Sequence, residues 1–224
     1  DYFGKGLKIQ EEIKDERGLA LSLNNIGLIY KNQGDATKAL DYFTRSLKTW
    51  EKIGYQQGIA YLLNNIGLIY SDRKDFAAAL NCYTRSLKIQ EEAGDKRGVA
   101  YALNHLGTIY NNTNEPEKAF GYFKRSLKLY KEMGDKGGVT NTFNKLSSFY
   151  FKTATDPENK TAKKNNYDLA ISYADSALAF ARELGLPAQI RDSEKISAKI
   201  DSAQGNYKGA FEHFKQFIIY RDSL

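Results

Sequence analysis

The sequence predicts an all-α solenoid of antiparallel helix pairs, and three observations carry that prediction. The phrase LNNIGLIY stands at Leu23–Tyr30 and again at Leu63–Tyr70, with weaker copies at Leu103–Tyr110 and Phe143–Tyr150, each forty residues after the last. Gly18–Gln57 and Gly58–Arg97 are identical at 20 of 40 positions without a gap. Within each copy the apolar residues recur at helical spacing, and only three prolines interrupt the chain. A fixed period of this length marks supersecondary units that bury their apolar faces only against their neighbours.

Taken in order, residues 1–17 read as the second helix of a truncated repeat, and complete repeats span 18–57, 58–97 and 98–137. A fourth repeat, 138–188, carries an eleven-residue insertion, and a fifth, 189–224, is truncated at its C-terminus. That makes eleven helices in a single solenoid. In the first complete repeat Leu23, Ile26, Gly27 and Tyr30 share one helical stripe. The turn Asn32–Asp35 follows, and a second helix runs through Ala39, Leu40, Phe43, Ser46 and Leu47. Loops such as Gly94–Gly98 close the unit with C-terminal glycine chemistry. Glycine inside a helix costs about 1 kcal/mol relative to alanine. Its recurrence at Gly27, Gly67 and Gly107, facing the helices of Ala39, Ala79 and Ala119, predicts close packing of the two helices.

The insertion lies in Phe151–Tyr167, which is polar and basic. Asp156-Pro157-Glu158 has the chemistry of the start of a short helix. A helical extension and a surface loop both fit this segment.

Composition sets wide limits. Hydrophobic residues make up 42% and charged residues 27%, a globular balance, and a net charge of +6 permits an acidic partner without demanding nucleic acid. Cys82 is the one cysteine, so no disulfide framework exists. No apolar run is long enough for a membrane span. The opening DYFGKGLKIQEE matches the middle of a repeat, as expected of a piece of a longer protein. No catalytic constellation, cofactor motif or metal-ligand spacing is present: His105 and His213 share none with each other or with Cys82. Phe3–Gly6 falls on a helix and is no phosphate loop. The expectation is a non-enzyme without cofactor or metal. Asn111-Asn112-Thr113 and Asn159-Lys160-Thr161 match glycosylation sequons.

The pattern Leu23-x2-Ile26-Gly27-x2-Tyr30, then Ala39-x3-Phe43-x2-Ser46, resembles the tetratricopeptide repeat. Its copies are Gly67, Tyr70, Ala79 and Tyr83; Gly107, Tyr110, Ala119 and Phe123; and Tyr150, Ala170 and Ala174. The fourth repeat departs with Ser147 in place of glycine, and the fifth keeps Gly205, Ala210 and Phe214. The forty-residue length resembles the repeats of kinesin light chains and bacterial signalling proteins. The resemblance implies a right-handed superhelix whose first helices line a concave groove.

On that footing the groove face carries Leu21, Asn25, Leu28 and Asn32, then Tyr61, Asn65, Leu68 and Asp72, then Tyr101, His105, Thr108 and Asn112. Asn141, Lys145, Ser148 and Lys152 continue it, and Asn24, Asn64, Asn104 and Asn144 form a second column beside it. An asparagine amide offers donors and an acceptor, so a ladder of them can hold the backbone of an extended peptide. The same columns could instead bond neighbouring helices and set the stacking. Lys145 and Lys152 make the fourth repeat more basic, the place for an acidic ligand end. On the second helices, Arg45/Lys48, Arg85/Lys88 and Arg125/Lys128 read as a solvated face, with Glu91 and Glu92 at ion-pair spacing from Lys88.

The function these readings point to is a protein- or peptide-binding scaffold. It resembles the input region of a bacterial membrane-bound histidine kinase, which implies an extracytoplasmic location. A cytoplasmic regulator that binds a peptide pheromone and a stand-alone assembly scaffold fit the same residues. Phe211, Phe214, Phe217 and Ile218 lie near one stripe of the last helix and predict an end interface, with weak homodimerisation through it.

Overall fold

The helix boundaries follow from one recurring turn. A residue in the left-handed region, Gly34 (φ 80°) or Gly134 (φ 65°) for example, ends one helix, and at five of these turns an aspartate (Asp15, Asp35, Asp75, Asp95 or Asp135) begins the next. The aspartate's carboxylate accepts the N–H three residues on: Lys38 N to Asp35 Oδ1 at 3.0 Å, Gly98 N to Asp95 Oδ1 at 3.0 Å, Gly138 N to Asp135 Oδ1 at 2.9 Å. Each cap satisfies a donor that the first helical turn leaves open.

A computed structural model describes residues 2–157 and 163–223, with side chains from residue 5 onward except Glu11. Among these residues there are eleven helices and no strand. They are α1 (Tyr2–Glu12), α2 (Glu16–Asn32), α3 (Ala36–Ile53), α4 (Gln56–Asp72), α5 (Phe76–Glu92) and α6 (Lys96–Asn112). Then come α7 (Pro116–Glu132), α8 (Lys136–Thr155), α9 (Lys163–Glu183), α10 (Pro187–Ala203) and α11 (Tyr207–Asp222). The chain forms two compact units that meet within α6, one up to Ile109 and one from Tyr110 onward.

In the first unit α2 pairs with α3 and α4 with α5, while α3 packs on α4. The core gathers Phe43, Leu62, Leu63 and Ile66, with a smaller cluster of Leu7, Leu23 and Ile26. Gly27 and Gly67 do face the helices of Ala39 and Ala79, and what they make room for is a ring. A Cβ at Gly27 would stand 2.6 Å from Cδ1 of Phe43, and one at Gly67 would stand 3.0 Å from Cζ of Tyr83. The Ser46 and Ser86 hydroxyls, fully buried, donate to the carbonyls of Ala20 (2.6 Å) and Ala60 (2.9 Å). These bonds lock each second helix to its partner.

The second unit solves the same packing problem differently. Ser147 stands where the first three complete repeats have glycine, and Ala174 stands where they have Phe43, Tyr83 and Phe123. With no ring to house, the extra side chain fits, and the Ser147 hydroxyl donates to the Ala170 carbonyl at 2.7 Å. The donor has moved from second helix to first. Around this pair Ala154, Tyr167, Ala170, Ala174, Ile196 and Ile200 form one core cluster, and Ala119, Phe123, Leu146 and Phe149 another.

Most of the described insertion lengthens its flanking helices. α8 has 20 residues and α9 has 21, against 17 in α6 and α7. Asp156 leaves α8 with extended backbone (ψ 120°). The proposed short helix from Asp156 and the sequon at Asn159 both run into residues 158–162, outside the described residues.

Candidate functional site

Helix α4 turns Tyr61 outward, half exposed, and sets Asn64 and Asn65 beside it. Tyr101 leaves the first turns of α6 one repeat later. Between the two tyrosines lies a cavity of about 450 Å³. Its walls are Ala60 from α4, Ile89, Gln90 and Ala93 from the end of α5, and Asp95, Arg97 and Gly98 from the start of α6. Tyr101 tilts onto His105 with ring centres 4.4 Å apart, and His105 stacks on the buried Tyr83 at 4.8 Å. Burial, with a smaller contribution from Tyr61, pushes the Tyr101 phenol above its ordinary range. Desolvation does the same to Tyr83, so both rings stay neutral.

Three amide atoms at this cavity make no hydrogen bond within the protein: Asn64 Oδ1, Asn65 Nδ2 and Gln90 Oε1. Asn64 and Gln90 are each only 7% exposed. Buried polar groups are overwhelmingly paired in folded proteins, and one left open costs about 1–3 kcal/mol. The cavity therefore presents two acceptors and a donor at a largely apolar wall.

The other asparagines separate into distinct roles. Asn24 is buried, and its Nδ2 donates to Oδ1 of the exposed Asn25 at 3.4 Å. Asn144 donates to the Gln189 carbonyl at 3.3 Å and accepts the Ser193 hydroxyl at 2.8 Å, so this rung bonds α8 to α10. Asn104 is buried as well, and its carbonyl accepts the Thr108 hydroxyl. Leu28 packs against the core, and Leu68 and Thr108 are half-buried. Lys145 lines a separate cleft of about 240 Å³ in the second unit with Asn141, Asp192, Lys195 and Lys199. Lys152 donates to the Asn111 carbonyl and takes no part in that cleft.

The second-helix cations pair along the surface, Lys88 with Glu92, Lys128 with Glu132 and Arg85 with Glu51. Cys82 is buried, and desolvation raises its thiol. On α11, Phe211 and Phe214 are exposed while Phe217 and Ile218 are half-buried. The three phenylalanines border an apolar groove of about 600 Å³. No helix among the described residues is long and apolar enough to cross a membrane.

Sequence reasoning placed Tyr61, Asn64, Asn65 and Tyr101 at the groove and missed what α5 adds. A signal for it exists. Gln10, Trp50, Gln90 and Tyr130 recur at forty-residue spacing, eight residues before Gly18, Gly58, Gly98 and Gly138.

The tetratricopeptide repeat family model matches residues 18–92 and 58–132, together just over half of the chain. The chain belongs to the tetratricopeptide repeat family. No curated protein matches it by sequence. Several solved tetratricopeptide-like structures resemble it closely in fold. BtubC from P. vanneervenii superposes with a TM-score of 0.73 at 17% identity, over 99% of this chain and 89% of that one. A Rap protein complexed with Competence and Sporulation Factor gives 0.76 at 14% identity, over 95% and 57%. A signal transduction ATPase from Pyrococcus horikoshii with a tetratricopeptide repeat sensor gives 0.71 at 20% identity, over 99% and 33%.

Proposed function

We propose that this tetratricopeptide chain is a non-catalytic scaffold that binds an extended peptide, as the ligand-sensing input region of a larger signalling protein such as a histidine kinase. The observation that carries the peptide reading is the set of open amide atoms, Asn64 Oδ1, Asn65 Nδ2 and Gln90 Oε1, around one cavity. A peptide backbone alternates N–H donors with C=O acceptors and meets such a set without any charge. Tyr61 and Tyr101 add apolar area with a polar tip, which suits a binding surface. In this reading the stripe of Phe211, Phe214, Phe217 and Ile218 supports weak self-association.

The likeness to a Rap protein complexed with Competence and Sporulation Factor favours one second reading, a cytoplasmic regulator bound by a signalling peptide. Both readings use the same cavity.

The test is a screen of random unstructured peptides by calorimetry against wild type and Asn65→Ala. The expected result is peptide binding that weakens about tenfold in the variant, equivalent to about 1.4 kcal/mol, with an unchanged melting temperature. His105 is unsuited to this comparison, because removing it also strips the stack on Tyr83. Equal binding by both proteins would reject the amide reading. For the end stripe, sedimentation should show association that rises with concentration and is lost in Phe217→Glu.

A further inference from the structure

We infer that the cavity between Tyr61 and Tyr101 is a pocket for an aromatic side chain that carries its own N–H or O–H donor, a tryptophan or tyrosine of the bound peptide. The inference rests on the peptide reading above and names the anchor that reading leaves open.

The repeat itself shows what the position is shaped to hold. On the last turn of the second helices stands the column Gln10, Trp50, Gln90 and Tyr130, and across from it the column Gly18, Gly58, Gly98 and Gly138. At two rungs a ring lies flat against the glycine. A Cβ at Gly58 would stand 2.7 Å from Cδ2 of Trp50, and a Cβ at Gly138 would strike the ring of Tyr130. Both rings are nearly buried, 3% and 6% exposed. At the Gln90 rung the glycine is kept and the ring is missing. The amide of Gln90 rests on Gly98, its Cδ 2.7 Å from a Cβ there. Beside that amide opens the cavity of about 450 Å³. Two of the four rungs, Gln10 and Gln90, thus lack the ring that Trp50 and Tyr130 supply from within, and at the Gln90 rung the cavity stands in its place.

The chemistry of the walls selects among rings. Gln90 Oε1 and Asn64 Oδ1 are buried acceptors without a donor. Phenylalanine or leucine would leave both unmet, whereas an indole N–H or a phenol O–H meets one of them. Asp95 and Arg97 both stand in the wall, so the site carries no net charge that would select an anion or a cation. A neutral ring with a donor on its edge fills the apolar space and meets one of the open oxygens.

Nuclear magnetic resonance on the nitrogen-15-labelled chain tests this with single-residue probes. N-acetyl-tryptophanamide and N-acetyl-tyrosinamide should give saturable shifts at the side-chain amides of Asn64, Asn65 and Gln90. N-acetyl-phenylalaninamide and N-acetyl-leucinamide should bind about tenfold more weakly, the factor that about 1.4 kcal/mol supplies. Gln90→Trp should fill the pocket from within, abolish the response and leave the melting temperature at or above wild type. Should that variant fail to fold, Gln90→Leu keeps the space and removes an acceptor, and it should bring the tryptophan and phenylalanine probes together. Equal response to leucine, tighter binding of N-acetyl-argininamide, or a Gln90→Trp protein that still responds would overturn the pocket. If peptides bind while the ring probes do not, the anchor fails and the groove stands. If neither binds, both fail.

Discussion

Asn64 in the first unit and Asn144 in the second hold the same register position of their repeats, yet one is open and the other is bonded on both sides of its amide. The difference lies in the helix each one faces. α10 brings Ser193 and the Gln189 carbonyl to Asn144. At the position of Ser193, α6 carries Ala102, fully buried, which has no side-chain donor to offer Asn64. The second unit also holds a buried carboxylate that has two partners. Glu194, fully buried, receives Arg182 at 2.8 Å and faces Nδ1 of His213 at 2.6 Å. Between these two asparagines the difference is one side chain on the following helix, Ala102 facing Asn64 and Ser193 facing Asn144.

The largest expected effect breaks the closed side of this comparison. Arg182→Met leaves the buried Glu194 with His213 alone, and it should destabilise the second unit by about 3 kcal/mol in urea unfolding. The double variant Arg182→Met/Glu194→Leu should recover most of that loss. A single-variant loss below about 1 kcal/mol, the scale of an exposed pair, would show that Glu194 is not held as tightly as its burial implies.

Next in size is Ser193→Ala, which strips Asn144 of its hydroxyl partner and should cost about 2 kcal/mol by the same measurement. Its mirror, Ala102→Ser, offers Asn64 the donor that Asn144 already has. That variant should gain about 1 kcal/mol of stability and weaken peptide binding together. A gain in stability with unchanged binding would separate the open oxygen from the ligand.

The smallest effect concerns the turns. Asp35 accepts the Lys38 N–H and faces the Lys38 ammonium, which lowers its carboxyl from the ordinary value. A depressed carboxyl contributes stability above its unfolded-state value and loses it as pH falls through the folded one. Asp35→Asn keeps an acceptor and does not titrate. The melting-temperature advantage of wild type over this variant should therefore be present near neutrality and shrink below about pH 4, the unfolded aspartate range.

Much of the fold was legible because its cause is local and periodic. Asp35, Asp75 and Asp135 each precede a helical run, and each caps it. The departure at Ser147 was visible as a broken pattern, but its remedy was not: Ala174 makes the room and Ala170 accepts the hydrogen bond, and both lie across the hairpin. Helical phase put Tyr61 and Asn65 on one side of α4 and Tyr101 on the matching side of α6, and the three line one cavity. Gln90 escaped that reasoning because it belongs to a second helix, and only packing brings the end of α5 beside α4 and the start of α6.

The sequence by itself determined the period, the helix count and the faces that turn inward, since caps, glycines and apolar spacing act within a few residues of one another. The tertiary structure alone decided which asparagines are spent on stacking and which stay open. A hydrogen bond needs a partner within about 3 Å, and that partner sits on another helix, where a serine or an alanine fits the same backbone equally well.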